Sequence, residues 1–218
     1  MNELARRIDA ALPQTQCTRC GYPDCAAYAE AVADGQAPIN QCPPGGQVGI
    51  ERLAAITGQA TVPLNPANGV EGPLTLAVID EDWCIGCTLC IKACPTDAIL
   101  GSNKLMHTVI APYCTGCELC IPVCPVDCIS LENVSGDRTG WDAWPQEQAD
   151  LARRRYAERT VRLAREKQEH EQRLEAKAKM KLADLAAHSQ HTDPAVLDKK
   201  RAVIEAALAR ARERRGQT

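Results

Sequence analysis

Thiol groups are the reactive inventory of this chain, whose 218 residues include thirteen cysteines and four histidines. The cysteines fall at Cys17, Cys20, Cys25 and Cys42, then Cys84, Cys87, Cys90 and Cys94, then Cys114, Cys117, Cys120, Cys124 and Cys128. Thiolates are the protein's ligands for soft metal centres. Tight groups of four and an odd total favour metal ligation over a disulfide framework. The segment Met1–Leu12 is charged and lacks the apolar core of a secretory signal, so the expected compartment is the reducing cytoplasm.

The second and third groups are copies of one another. Asp82-Trp-Cys84-Ile-Gly-Cys87-Thr-Leu-Cys90-Ile-Lys-Ala-Cys94-Pro95 aligns without a gap on Pro112-Tyr-Cys114-Thr-Gly-Cys117-Glu-Leu-Cys120-Ile-Pro-Val-Cys124-Pro125, at a period of 30 residues. Each reads C-x2-C-x2-C-x3-C-P, the bacterial ferredoxin pattern for [4Fe-4S] clusters. Zinc modules space two cysteine pairs apart instead of stringing three cysteines over seven residues. In the two-cluster pattern the fourth cysteine binds the other copy's cluster. Cys84, Cys87, Cys90 and Cys124 should hold one cluster, and Cys114, Cys117, Cys120 and Cys94 the other. Gly86 and Gly116 let the ligand loops turn backbone N–H groups toward sulfur.

The first group, C-x2-C-x4-C-x16-C, offers four thiolates without histidine, which suits either an iron–sulfur cluster or zinc. Cys128 reads as a small buried apolar residue. His107, between the repeats, reads as a polar strand residue, close enough in sequence to influence a cluster.

The elements that must position these groups follow from periodicity. Residues 2–12 read as a helix capped by Asn2 and stopped by Pro13. A helix from Cys25 to Asp34 ends at Gly35, and another from about Gln47 to Thr57 ends at Gly58. The Pro- and Gly-rich run 59–73 reads as a linker, and Leu74–Ile79 as a strand. From about Trp144 a charged helical pattern runs to about Ala187, with a last helix opening at Asp193-Pro194. The fold expected is a small, metal-stapled α+β protein. Residues 1–58 form a helical N-terminal cluster domain, 59–73 a linker, 74–135 a ferredoxin-like domain of βαβ repeats, and 136–218 a charged helical tail.

Phenylalanine is absent and only seven residues are Trp or Tyr, so the clusters must supply much of the cohesion of an aromatic core. No apolar run is long enough to span a bilayer. There is no P-loop and no dinucleotide-binding glycine motif, which argues against a site of its own for an organic substrate. Residues 1–137 carry six Lys/Arg against fifteen Asp/Glu, a formal −9; residues 138–218 carry nineteen against thirteen, a formal +6. Three oxidised four-thiolate clusters would bring the first part to about −15. Such a surface attracts a basic partner and repels nucleic acid. The basic tail reads as a solvated helix, with docking through Arg153-Arg154-Arg155 or Lys199-Lys200-Arg201 as the second reading.

The runs Cys17-Thr-Arg-Cys20-Gly21-Tyr22-Pro23-Asp24-Cys25, Tyr28-Ala29-Glu30-Ala31 and Asn40-Gln41-Cys42-Pro43-Pro44-Gly45-Gly46, followed by the double ferredoxin unit, resemble the RnfB/RsxB family of the Rnf/Rsx electron-transport complexes. The resemblance covers about residues 14–133. It implies a third [4Fe-4S] cluster at Cys17, Cys20, Cys25 and Cys42. It also implies relay of single electrons within a complex linking ferredoxin and NAD to ion movement. The expectation is an electron-transfer subunit whose partners are redox donors and acceptors, including other Rnf/Rsx subunits. Family members usually begin with a transmembrane anchor; with sixteen residues before Cys17, this chain reads as a variant without one. It is expected in the cytoplasm or peripherally at the inner face of the plasma membrane. A non-catalytic iron–sulfur redox sensor or docking module is the alternative.

Overall fold

The computed structural model describes residues 1–216, with side chains as far as Glu213. Packing divides the chain into two compact units, Met1–Arg159 and a second beginning at Thr160.

The first unit opens with three helices: α1 (Glu3–Ala11), α2 (Cys25–Ala33) and α3 (Gly46–Thr57). Side-chain oxygens start two of them. Asn2 accepts from the Ala5 N–H at 2.8 Å, and Asp24 accepts from the Ala27 N–H at 2.7 Å. At the end of α3, Gly58 takes φ 73°, the left-handed stop. Ile8, Leu12, Tyr28, Val32, Ile50 and Leu53 form the buried core between the helices. Tyr28 is the large aromatic of this core. Its hydroxyl donates to Pro38 O at 2.8 Å and accepts from the Gln41 N–H at 3.2 Å, tying down the approach to Cys42. The run 59–73 is irregular but anchored. Glu71 accepts from the Gln47 N–H at 3.0 Å with one carboxylate oxygen and from the Thr139 hydroxyl at 2.7 Å with the other.

The repeats follow as β1 (Thr75–Ile79), α4 (Leu89–Ala93), β2 (Ile99–Leu100), β3 (Thr108–Val109) and β4 (Ile129–Asn133). Outer strands pair antiparallel, β1 with β4, from Thr75 opposite Asn133 to Ile79 opposite Ile129. Inner strands β2 and β3 pair likewise, Ile99 opposite Val109. The 30-residue repeat is visible in the backbone: Gly86 and Gly116, Thr88 and Glu118, and Asp97 and Asp127 all take positive φ at matching positions. The copies part at one point. In the first, the Lys92 N–H bonds to Thr88 O at 3.2 Å within α4. The matching residue in the second is Pro122, which has no N–H to give. The chain there makes two tight turns instead, Ile121 N–H to Glu118 O and Cys124 N–H to Ile121 O. The helix expected in each copy therefore forms only in the first.

Downstream lie α5 (Gly140–Ala143), α6 (Gln146–Ala183) and α7 (Pro194–Gly216). The sequence reading began the tail at residue 136, yet residues 139–159 pack within the first unit. Trp141 and Trp144 are buried with Ala149 and Ala152. The Trp144 indole donates to Pro13 O at 2.7 Å, and the Arg52 guanidinium lies 3.7 Å over the Trp141 ring. Near the end of this segment Tyr156 donates to Asp24 Oδ2 at 3.1 Å. Arg155 donates to Thr96 O at 2.7 Å and Asp97 O at 3.1 Å and stacks 3.7 Å over Tyr113. Arg155 is thus an internal clamp between helix and repeats, which removes it from the basic group read as a docking patch.

In the second unit, α6 continues as a helix with ion pairs Arg162–Glu166 and Lys179–Glu175 along its surface. Asp193 starts α7, accepting from the Ala195 N–H at 2.9 Å.

Trp144→Ala should lower the stability of the first unit by about 3–5 kcal/mol in an anaerobic denaturant titration. Leu174→Ala, on the exposed face of α6, should change it by no more than about 0.5 kcal/mol.

Candidate functional site

The thiols gather in three places. The first is built on the segment before α2. Gln14, Gln16 and Thr18 alternate into the left-handed region at φ 57°, 55° and 62°. This zigzag is held by buried amides. Gln14 Nε2 donates to Asp9, Gln16 Nε2 donates to Gln14 Oε1 at 2.9 Å, and Gln16 Oε1 accepts from the Cys25 N–H at 2.9 Å. Cys17 and Cys20 follow on the loop, Cys25 opens α2, and Cys42 precedes a 3₁₀ turn at Pro43–Gly45. Burial first, then the sulfurs of Cys42 and Cys17, pushes the Cys25 thiol well up. Burial and the sulfurs of Cys17 and Cys20 push Cys42 up as well. Cys20 is raised by burial and by Cys17, while the Tyr22 N–H bonded to its sulfur pulls the other way. The four sulfurs thus act on one another across a shared, poorly solvated space.

The second gathering joins the two repeats. Cys120 is pushed up to about 12 by burial and by Cys117, Cys114 and Cys94. Burial, with Cys94 and Cys114 among the neighbours, raises Cys117 to about 11. Cys94 of the first copy therefore stands with the three loop cysteines of the second. The Ala98 N–H donates to Cys94 Sγ at 3.1 Å.

The third gathering holds Cys84, Cys87 and Cys90, with Cys90 raised by burial and by the sulfurs of the other two. Cys124 reaches this group through Cys128. Cys128 Sγ lies 3.5 Å from Cys124 Sγ, and its thiol is pushed to about 12 by burial, by Cys124 and by Cys84. Burial opposes ionisation of Cys124, but N–H groups of Val126, Cys128 and Asp127 point at its sulfur and lower it. Cys128 is buried as read from the sequence, and it also touches two of the candidate ligands. His107, read as a strand residue, is instead fully buried just before β3, its Nδ1 3.3 Å from Cys90 Sγ and its Nε2 3.3 Å from Ser102 O.

Two contacts absent from the sequence reading join the first and second gatherings. Thr115 donates its hydroxyl to Thr15 O at 2.9 Å across 100 residues of chain. Arg19, between Cys17 and Cys20, pairs with Glu118, beside Cys117, at 2.5 Å. The guanidinium therefore acts electrostatically on both Cys17 and Cys117. The available signal was an opposite charge inside each ligand loop, but nothing in the spacing said that the loops meet.

The donor sets suit iron–sulfur clusters. Buried thiolates of one sign need a cationic core, and the N–H groups aimed at Cys20, Cys94 and Cys124 are the donors that such bound sulfurs accept. Among the described residues, no three His, Cys, Asp or Glu side chains converge on the point a single ion would need.

Close approach fixes one residue type in the second loop. At Gly116, φ 64°, a Cβ would collide with Thr75 O. Gly116→Ala should therefore lose both iron and stability on purification. Gly136→Ala, at φ 62° with open space around it, should show the backbone cost alone, about 1–2 kcal/mol.

Comparison with known proteins bears on these sets. The family described as "4Fe-4S dicluster domain" matches residues 77–131, and that described as "Putative Fe-S cluster" matches residues 12–44. The RnfB protein of the ion-translocating oxidoreductase complex of Thiobacillus denitrificans is 59% identical over 110 residues, 50% of this chain and 58% of that protein. Its counterpart in Azoarcus is 57% identical over 109 residues, 60% of that protein, so the chain spans about three-fifths of these two relatives. The counterpart in Alkalilimnicola ehrlichii is 54% identical over 158 residues, 72% of this chain and 84% of that protein. No solved structure matches. No helix among the described residues is long and apolar enough to cross a membrane. With a 4Fe-4S dicluster domain at the repeats, a "Putative Fe-S cluster" segment at residues 12–44 and this identity across most of a relative's length, the chain belongs to the RnfB family of ion-translocating oxidoreductase complex subunits.

Proposed function

We propose that this chain is an electron-transfer subunit with three [4Fe-4S] clusters. In this reading Cys17, Cys20, Cys25 and Cys42 hold the first, Cys84, Cys87, Cys90 and Cys124 the second, and Cys94, Cys114, Cys117 and Cys120 the third. Bound clusters supply acceptance and release of single electrons, with no bond made or broken by the protein. The observation that carries the reading is the company Cys94 keeps. Its electrostatic influence on Cys117 and Cys120, 23 and 26 residues downstream, supports the ligand exchange of a two-cluster ferredoxin. The names of the relatives support work within a multi-subunit, ion-translocating oxidoreductase. The partners proposed are redox donors and acceptors, among them other subunits of such a complex at the inner face of the plasma membrane.

The chain's own residues shape the sites. Gln14 and Gln16 hold the first loop open, Gly86 and Gly116 admit the backbone close to its neighbours, and amide N–H groups stabilise negative sulfur. Arg19 and Glu118 place one charge of each sign between two of the sets.

Anaerobically purified protein should contain about twelve iron and twelve acid-labile sulfide per chain, with absorption near 400 nm that bleaches on reduction. Cys17→Ala should lower both to about eight and leave the ferredoxin part folded. Zinc with eight iron would confine the reading to the repeats, and a colourless zinc protein would sink it. Redox titration followed by EPR tests the charge pair. Arg19→Gln should lower the potentials of the first and third clusters, Glu118→Gln should raise them, and the second should hold. Shifts of one sign in both variants would mean the pair acts only as a structural tie.

A further inference from the structure

We propose that the open face of the first repeat is a docking surface for a small redox protein whose contact face has an apolar centre and a basic rim. The inference rests on the electron-transfer reading above.

The internal repeat supplies the comparison. The loop face of the second copy is already occupied from within the chain. Thr115 is 3% exposed and bonded to Thr15, Glu118 is paired with Arg19, and Tyr113 lies under Arg155. The matching residues of the first copy are Ile85, Thr88 and Trp83. Ile85 is 57% exposed and Trp83 is 69% exposed. The turn 101–106 adds to the same face, because the Lys104 N–H donates to Gly86 O at 2.9 Å and brings Leu105 against the ligand loop. Leu105 and Met106 are both more than half exposed.

Exposed Trp, Ile, Leu and Met gathered around one ligand loop make a patch of the kind that marks an interface, and tryptophan is the side chain most enriched at interface centres. The charge beside it is one-sided. Asp80, Glu81 and Asp82 are exposed immediately before Trp83, against Lys104 on the neighbouring turn. A cluster held by four thiolates adds negative charge behind them. A basic rim on the partner would complement this edge and steer its approach. By the symmetry of the repeat, the partner would occupy on the first copy the place that Thr15, Arg19 and Arg155 occupy on the second.

The test uses the full chain with its clusters, chemically reduced, mixed in stopped flow with cytochrome c. That protein is a basic one-electron acceptor with an apolar haem edge ringed by lysines. The double variant Trp83→Ala/Ile85→Ser should lower the second-order rate constant about tenfold or more at low salt. Iron content, visible spectrum and the rate with ferricyanide, a small anion that needs no docking face, should stay unchanged. Asp80→Asn/Asp82→Asn should flatten the salt dependence. An unchanged rate with cytochrome c, or equal slowing with ferricyanide, would overturn the proposal and leave the electron-transfer reading standing. So would sedimentation showing that the patch merely joins two copies of this chain. Loss of iron from the unmutated protein's Cys84 set would bring down both.

Discussion

Four sulfur atoms brought into one poorly solvated space repel one another once ionised and resist ionisation until something cationic joins them. That constraint governs the first unit. Burial and mutual repulsion raise Cys25, Cys42, Cys117 and Cys120. A small chain with no phenylalanine has little apolar surface with which to compensate. The core around α1, α2 and α3 and the core of the repeats both include cysteines among their buried residues. The cysteines proposed as ligands are thus part of the hydrophobic packing.

The segment from Thr139 to Arg159 adds cohesion between the parts of the first unit. Trp144 reaches back to Pro13, Tyr156 to the cap of α2, and Arg155 to the turn after Cys94. One helix start thereby ties the N-terminal helices and the first repeat to a common support. Its contacts include hydrogen bonds to backbone carbonyls and a carboxylate, two guanidinium–ring stacks and the buried packing of Trp141 and Trp144.

Much of this was legible in the sequence. The repeat, its period and the twelve candidate ligands follow from spacing, and the helix starts at Asn2 and Asp193 follow from capping chemistry. Pro122 was equally visible, yet only the matching Lys92 to Thr88 bond shows what it prevents. The contacts Thr15–Thr115 and Arg19–Glu118 were hidden because they join residues about 100 apart, with ordinary side chains and no periodicity to mark them. The inward role of residues 139–159 was hidden for another reason. Alanines at 149 and 152 are fully covered while the helix around them is charged, so composition read the whole stretch as solvated. His107 illustrates the limit of local reading: nothing beside it in the sequence announces that Cys90 will lie against its ring.

The proposed exchange of Cys94 into the second repeat's set would bear on how the protein is made. A chain emerging from the ribosome completes its N-terminal group at Cys42, well before either ferredoxin group. In the proposed sets, the three loop cysteines of the first copy would emerge early but wait for Cys124, while Cys94 would wait for Cys114, Cys117 and Cys120. Of the two ferredoxin groups, the one begun first would therefore be closed last. In between, a nascent segment of about thirty residues would carry thiols whose proposed partners are not yet made, and β1 could not pair until β4 had followed.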